Sequence, residues 1–140
     1  MGHHTIARLA IVLLLAGTTL TAQTAEDAAQ AAAESWLRIV DTGNYGSSCE
    51  ETATVFKSAM PLEKWTAALA GARAPLGGLT SRILVSREGN DQLPGAPPGK
   101  YFTIRFTSAF ANAPKASETV MLLLDGDRGW RVVGFTIRPD

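Results

Sequence analysis

The chain changes character at Pro75 and the pair Gly77-Gly78. Before this point apolar residues recur at intervals of three and four, which is the spacing of a helix face; after it they alternate or form short runs, as strands do. A proline followed by two glycines ends a helix and lets the chain turn. Because every predicted helix precedes every predicted strand, we expect an α+β fold, with N-terminal helices packed on a curved antiparallel sheet of roughly four strands.

Three helices are predicted in the first half of the chain. The first runs from about Thr24 to Thr42, because Thr24 and Asp27 form a capping-box pattern at its start. A short helix over residues 49–59 follows, and a third begins at Pro61. On the last two helices the side chains expected to face inward are Cys49, Val55, Phe56, Leu62, Trp65, Leu69 and Ala72.

The second half contains four predicted strands, of which the second alternates most clearly. The strands are 79–86, 100–111, 118–124 and 130–138, with loops over 87–99 and 112–116. One face of the second strand carries Phe102, Ile104, Phe106 and Phe110, and the other Tyr101, Thr103, Arg105 and Thr107; in the last strand Val133, Phe135 and Ile137 share a face. The third strand is nearly continuously apolar, so we expect it to be central, with Glu118 as a cross-strand partner for the solvated Arg105.

Residues 1–22 have the pattern of a secretory signal peptide. A short basic start is followed by the apolar run Leu9–Gly17 and then by small residues with alanines. The run is about half as long as a membrane span requires, so we expect no stable membrane anchor. The sequence therefore predicts cleavage after Ala22, a single domain over residues 23–140, and a periplasmic or secreted location.

The composition of the remaining chain excludes several kinds of site. Both histidines, His3 and His4, lie in the predicted leader, and Cys49 is the single cysteine. Ser-His or Cys-His nucleophile pairs and the usual zinc sites are therefore excluded, and we predict no catalytic residue, no metal site and no cofactor. Loss of Arg8 with the leader leaves 12 basic against 13 acidic residues. Such a balance does not favour nucleic acid as a partner, and the lone cysteine is expected to be a small buried hydrophobe.

Four residues remain as candidate ligand-binding positions, namely Asp41, Tyr45, Trp65 and Arg73. Asp41 can act as a general base only if a phenol such as Tyr45 or Tyr101 lies beside it; otherwise it is a helix-end residue. Arg73, in the last turn of a helix, either satisfies helix-end carbonyls or clamps an anion at a pocket mouth. Trp65 is either a core residue or a stacking surface for a ligand.

Several blocks of the chain resemble the DUF4019 family of small exported bacterial proteins of uncharacterised function. They include Glu34-Ser35-Trp36-Leu37, Val40-Asp41-Thr42-Gly43-Asn44-Tyr45, Arg73-Ala74-Pro75-Leu76-Gly77, Leu93-Pro94-Gly95-Ala96-Pro97 and Gly129-Trp130-Arg131-Val132. The resemblance implies no catalytic residue. The element order is also similar to the NTF2-like, cystatin-like cone, which can leave a pocket between helices and sheet and which carries many unrelated functions.

These observations lead to an expected function with two alternatives. We expect an exported, non-enzymatic module that binds a small molecule or a partner protein whose identity the sequence does not give. The first alternative is an isomerase- or dehydratase-like enzyme of the NTF2-like type that uses Asp41 and a tyrosine. The second is a homodimeric structural module that pairs through the sheet face bearing Tyr101, Thr103 and Arg105.

Overall fold

A computed structural model of the chain describes residue 17 and residues 23–140, so the predicted leader and its cleavage site lie outside the described residues apart from Gly17. The elements are α1 (Ala25–Asp41), α2 (Tyr45–Glu50), α3 (Thr54–Ala59), α4 (Leu62–Arg73), β1 (Leu79–Asn90), β2 (Tyr101–Phe110), β3 (Ala113–Leu124) and β4 (Trp130–Pro139). The four strands form one antiparallel sheet in the order β1-β2-β3-β4. The predicted α+β fold is confirmed, and the predicted third strand, which is part of β3, is central.

Helix α1 begins and ends where the sequence predicts. The hydroxyl of Thr24 accepts a hydrogen bond from the backbone N–H of Asp27 at 3.1 Å, which satisfies a donor that the helix leaves unpaired. Its buried face consists of Ala29, Ala33, Trp36, Leu37 and Val40. The two alanines are small, so this helix packs closely against the sheet while Trp36 fills the space beside them.

The single helix predicted over residues 49–59 is wrong. The structure has two short helices, α2 and α3, separated at residues 51–53. Within this break Thr52 forms a parallel bridge with Val132, and the N–H of Ala53 donates to the Val132 carbonyl at 2.8 Å. A hydrogen bond to the edge of β4 thus replaces the helical ones. Val55, which was expected to face inward, is 41% exposed as a result.

The inward face of α4 differs from the predicted stripe. Leu62 and Ala72 are exposed, and the buried residues are Trp65, Leu69 and Arg73. These three are spaced four apart, so they lie on one face of the helix. The pattern of apolar residues does not predict this face because Arg73, its last residue, is charged. An arginine is buried only where it has partners, and those of Arg73 lie elsewhere in the chain.

Two of the predicted loops are partly strand. β1 continues to Asn90, opposite Tyr101, so the loop predicted over 87–99 is wrong in its first four residues. β3 already begins at Ala113, so the turn predicted over 112–116 is almost entirely strand. Charged and glycine-rich strand ends resemble loops in a sequence, and the backbone pairing with β2 decides the outcome here.

The sheet has an inner face, which the helices cover, and an outer face. The inner face carries Phe102, Ile104, Phe106, Val120, Leu122 and Val132. Leu122 pairs with Val132 whereas Met121 pairs with Gly134, so Val133 is the extra residue of a β-bulge in β4. Beyond the bulge the inward position belongs to Phe135, whose ring centre lies 5.2 Å from that of Trp36. The common face predicted for Val133 and Phe135 is therefore wrong.

Candidate functional site

Two of the four candidate residues meet in a buried charge cluster near one end of the sheet. The cluster consists of Asp41 at the end of α1, Arg73 at the end of α4, Arg82 in β1 and Glu118 in β3. Arg82 donates to both oxygens of Asp41, at 2.8 and 3.0 Å. It also donates to both oxygens of Glu118, at 2.8 and 3.2 Å. One guanidinium therefore joins two carboxylates and ties α1 to two strands.

Arg73 occupies the position of a helix-end partner. One of its terminal nitrogens donates to the Gly77 carbonyl at 2.5 Å, and another lies 3.5 Å from an oxygen of Asp41. Its guanidinium carbon also lies 4.3 Å from the centre of the Phe110 ring, within the range of a cation–π contact. The Nε atom is buried without a hydrogen-bond partner. Its charge is thus held by groups of the same chain, and no ligand is needed to balance it.

The sequence did not reveal Arg82 and Glu118 as members of this cluster, and Glu118 is the one whose position was predicted wrongly. It is 1% exposed and lies opposite Phe106, so it faces the helices. The hydroxyl of Ser108 donates to one of its oxygens. The expected pair of Arg105 with Glu118 is therefore wrong, and Arg105 lies instead 3.5 Å from Glu88 on the outer face. The sequence did indicate that Glu118 faces inward, because alternate residues of a strand share a face and Glu118 alternates with the inward Val120 and Leu122.

The electrostatics of the cluster favour a permanent ion-pair network. Burial alone lowers the pKa of Arg82, but its hydrogen bonds with Asp41 and Glu118 outweigh that effect and raise the pKa above its ordinary value. The cluster contains two cations and two anions. A general base needs a carboxylate that can accept a proton from a substrate. Both oxygens of Asp41 already accept hydrogen bonds from Arg82.

Within the described residues neither tyrosine hydroxyl is hydrogen-bonded to Asp41. Arg82, the partner of Asp41, lies opposite Ser108 in the sheet, whereas Tyr101 lies opposite Asn90 near the other end. Seven strand residues separate these positions, which corresponds to roughly 23 Å. The Tyr101 hydroxyl donates to the Pro97 carbonyl at 2.5 Å. The half-buried Tyr45 packs against the hydrophobic core cluster.

Of the other two candidates, Trp65 belongs to an aromatic cluster with Trp36, Phe56 and Phe135, and Tyr45 packs against the hydrophobic core. The ring centres of Trp36 and Trp65 lie 6.0 Å apart, and those of Phe56 and Trp65 5.2 Å apart. Both indole N–H groups donate to Ser48: Trp36 to its carbonyl at 2.9 Å and Trp65 to its hydroxyl at 3.0 Å. Because both polar edges are satisfied within the chain, these tryptophans act here as core residues. Aromatic rings fill much of the space in which a cone-like fold can hold a pocket, and Trp65 also lines a groove of about 380 Å³ beside α4.

Cys49 lies in the same core. It is a buried free cysteine, as the sequence predicts. Burial raises the pKa of its thiol, and the negative charge of Glu50 acts in the same direction. A thiol with a raised pKa holds little thiolate at neutral pH, so this residue is a packing group.

An open apolar groove lies on the outer face of the sheet, and we call it the outer groove. Its volume is about 350 Å³. It is lined by Val55 and Phe56 of α3, by Leu93, Pro94, Gly95, Ala96 and Pro97 of the loop between β1 and β2, and by Tyr101, Met121 and Val133 of the sheet. The candidate residues identified from sequence are absent from this lining. Two further grooves flank β4, one beside α1 and one beside α4, with volumes of about 250 and 380 Å³.

The loop over residues 91–100 folds onto the outer face and shapes this groove. The hydrogen bond from Tyr101 to Pro97 holds it there. A Cβ at Gly134 would lie 2.5 Å from the Met121 methyl, so glycine is needed for Met121 to lie across β4. Tyr101 and Thr103 are buried on this face. Two of the three residues considered for a face-to-face dimer are therefore not available at the surface.

The opposite wall of the outer groove is fixed by an ion pair beneath α3. A side-chain oxygen of Asp125 accepts from the N–H and the hydroxyl of Thr54, at 2.9 and 3.0 Å. The same oxygen accepts from Arg128 at 2.9 Å. The bond from the Thr54 backbone is the main cause that lowers the pKa of Asp125. This contact orients the start of α3, which presents Val55 and Phe56 to the groove.

Residues 23–140 contain neither a metal-binding cluster nor a helix that could span a membrane. Within residues 23–140 no three His, Cys, Asp or Glu side chains lie close enough together to hold a metal ion. Over the same residues none of the helices has the length and apolar character needed to cross a membrane.

The family described as "Protein of unknown function (DUF4019)" matches residues 32–135. The chain belongs to the DUF4019 family. The match extends from α1 to β4, so the charge cluster, the aromatic cluster and the outer groove of this DUF4019 protein all lie within the family's domain. Among proteins of curated function, none matches the chain.

Proposed function

We propose that this DUF4019 protein is an exported, non-catalytic binding module whose outer groove takes a small apolar molecule. The observation that carries the proposal is the lining of the outer groove, which contains no acidic or basic side chain, whereas charged side chains line both grooves that flank β4. Val55, at the groove, is 41% exposed although the chain contains a well-packed core for such residues. Exposed apolar surface that is gathered in a concavity is the usual sign of a binding site.

The size and lining of the groove support an apolar ligand. Its volume of about 350 Å³ is at the lower end of the range for small-molecule sites. Valine, phenylalanine, leucine, proline and methionine side chains supply its walls. Tyr101 is the titratable member of the lining, and its hydroxyl is already bonded to Pro97. The binding energy would therefore come from burial of apolar area rather than from charge recognition.

The absence of an available acid or base in this lining supports a non-catalytic role. Asp41, the candidate base, is bonded to Arg82 near the other end of the sheet. The buried Glu118 is bonded to Arg82 and Ser108. Neither carboxylate lines the outer groove. A substrate bound there would meet no free proton donor or acceptor from these residues.

The binding proposal is tested with N-phenylnaphthylamine, a neutral fluorophore that brightens when it leaves water. The purified protein is expected to enhance its fluorescence saturably, and Val55→Asp is expected to weaken binding at least tenfold, because a carboxylate at the groove wall opposes an apolar ligand. The matched control is Val85→Asp, the same change at an exposed position of β1 outside the groove lining. Equal loss in both variants, or no binding by the unmodified protein, would contradict the proposal.

Export is a separate part of the proposal and has its own test. It is supported by the basic, apolar and small-residue order of residues 1–22. Fractionation of producing cells should place the protein outside the cytoplasm, and its intact mass should correspond to a chain that starts at Gln23. A full-length chain that stays in the cytoplasm would remove this part and leave the groove proposal standing.

A further inference from the structure

The two edges of the sheet are treated differently by the rest of the chain. The β4 edge is partly covered, because Thr52 bridges Val132 and the Ala53 N–H bonds to its carbonyl. β1 is the other edge strand, and β2 is its sole strand partner in the described part of the chain. The outer edge of β1 is therefore left open, and an open edge is a template for another strand.

This open edge carries a concentration of exposed apolar side chains. Ile83 is 65% exposed and Val85 is 61% exposed. Together with Leu79 and Leu84, β1 supplies four of the seven large hydrophobic residues that are exposed in the described chain. A β-bulge falls between Leu84 and Ser86, so Val85 is an extra residue. Bulges commonly protect an edge strand from pairing with another chain. The bulge at Val85 instead extends the apolar run Ile83-Leu84 by one residue.

The charges of β1 are neutralised by partners within the chain. Arg82 is bonded to Asp41 and Glu118, Arg87 lies 2.7 Å from Asp27, and Glu88 lies 3.5 Å from Arg105. Free charges on an edge normally discourage strand addition, and here each of these three is occupied. The edge therefore presents apolar side chains and backbone without a net charge that would select a charged foreign peptide.

We propose that this chain forms a two-fold dimer in which β1 pairs antiparallel with β1 of a second copy. A two-fold axis makes one surface complementary to itself, so a single open edge is sufficient. An axis at Leu84 places Ile83 opposite Val85 of the second copy and Arg82 opposite Ser86, so no like charges meet. Without the leader the chain has 12 basic and 13 acidic residues, so repulsion between two copies through net charge is small. Because the β4 edge is partly covered, pairing at β1 closes a dimer and disfavours open polymers.

The first test is the oligomeric state of protein purified from cells that express the full chain. Sedimentation equilibrium should show a dimer at micromolar concentration, and Val85→Asp should raise the dimer dissociation constant at least tenfold. Val55→Asp, the same change at the outer groove, should leave dimerisation unchanged. A monomer at all concentrations, or a dimer that is insensitive to Val85→Asp, would overturn the proposal.

The second test does not depend on weakening the protein. Leu84→Cys should form an intermolecular disulfide under mild oxidation, because residues on the axis of an antiparallel pair have Cα atoms about 4.5–5.5 Å apart, within disulfide range. Val55→Cys is the control and should stay unlinked, since Cys49 is buried. Equal linkage in both variants would overturn the proposed interface. Because this readout is independent of the outer groove, failure of the dimer and failure of the binding proposal are distinguishable.

Discussion

The inner and outer faces of this sheet are built from the same strands but differ in what they leave open. The inner face is covered by α1 and α4, filled by the rings of Trp36 and Trp65, and closed at one end by the charge cluster. The outer face is covered at one end by the loop over residues 91–100, which leaves the outer groove beside it. This difference shows that tryptophans and paired charges, which suggest a binding site in the sequence, stabilise the fold here. The open apolar surface is the outer groove, whose lining contains neither tryptophans nor charged residues.

The largest expected effect would come from opening the inner face at its aromatic cluster. Trp36→Ala should lower the free energy of unfolding by about 3–5 kcal/mol, because it leaves a cavity and removes the hydrogen bond to Ser48. Trp36→Phe keeps part of the packing and should cost less. Urea unfolding measures both. A change below about 1 kcal/mol for Trp36→Ala would mean that the space is not filled as described.

The second prediction concerns the charge cluster on the inner face. Arg82→Ala leaves Glu118 buried without its cation and should lower the free energy of unfolding by about 3–5 kcal/mol. Arg105→Ala, which breaks the exposed pair with Glu88 on the outer face, should cost about 1 kcal/mol or less. The comparison is made by urea unfolding of both variants. If the two cost the same, the distinction between the faces fails.

A smaller effect is expected where the loop meets the outer face. Tyr101→Phe removes the hydrogen bond to the Pro97 carbonyl and should cost about 0.5–1.5 kcal/mol. Its main consequence should be faster hydrogen exchange in the loop over residues 91–100, with exchange in α1 unchanged. Unchanged exchange in the loop would show that this bond does not hold the loop in place.

The smallest effect concerns pH and the wall of the outer groove. The pKa of Asp125 lies below its ordinary value of 3.8, so its contribution to stability is present above that value and is lost as the pH falls through the lowered pKa. Thermal unfolding should therefore separate wild type from Asp125→Asn at about pH 7 and bring them together at low pH. Asp27, whose pKa is also lowered, chiefly by Arg87, adds a background slope that both proteins share. A stability difference that grows on acidification would contradict this assignment.

The local parts of this arrangement were predictable from sequence, and the long-range parts were not. The start of α1 follows from Thr24, and the inward face of β2 follows from the alternation that includes Ile104 and Phe106. Both signals lie within a few residues of the element they define. The break at Thr52 depends instead on Val132, eighty positions later, and a helix pattern cannot register such a partner.

Two of the four members of the charge cluster were predictable from the sequence, but their roles were not. Asp41 and Arg73 were identified as unusual, and the structure brings them within 3.5 Å of each other. The complete cluster with Arg82 and Glu118 needs four elements to meet, and sequence spacing carries no record of those contacts. The outer groove was missed because Val55 was expected to face inward and because the sequence does not show where the loop between β1 and β2 lies on the sheet.

The most direct test of the central claim is to map where a small apolar molecule contacts the protein. NMR spectra recorded with and without N-phenylnaphthylamine report on both faces at once. The account predicts shifts of the Met121 methyl group and of the Val55 and Val133 methyl groups, with the indole N–H signals of Trp36 and Trp65 unchanged. Shifts at the two indoles with the groove methyl groups unmoved would place the cavity between helices and sheet and contradict the account.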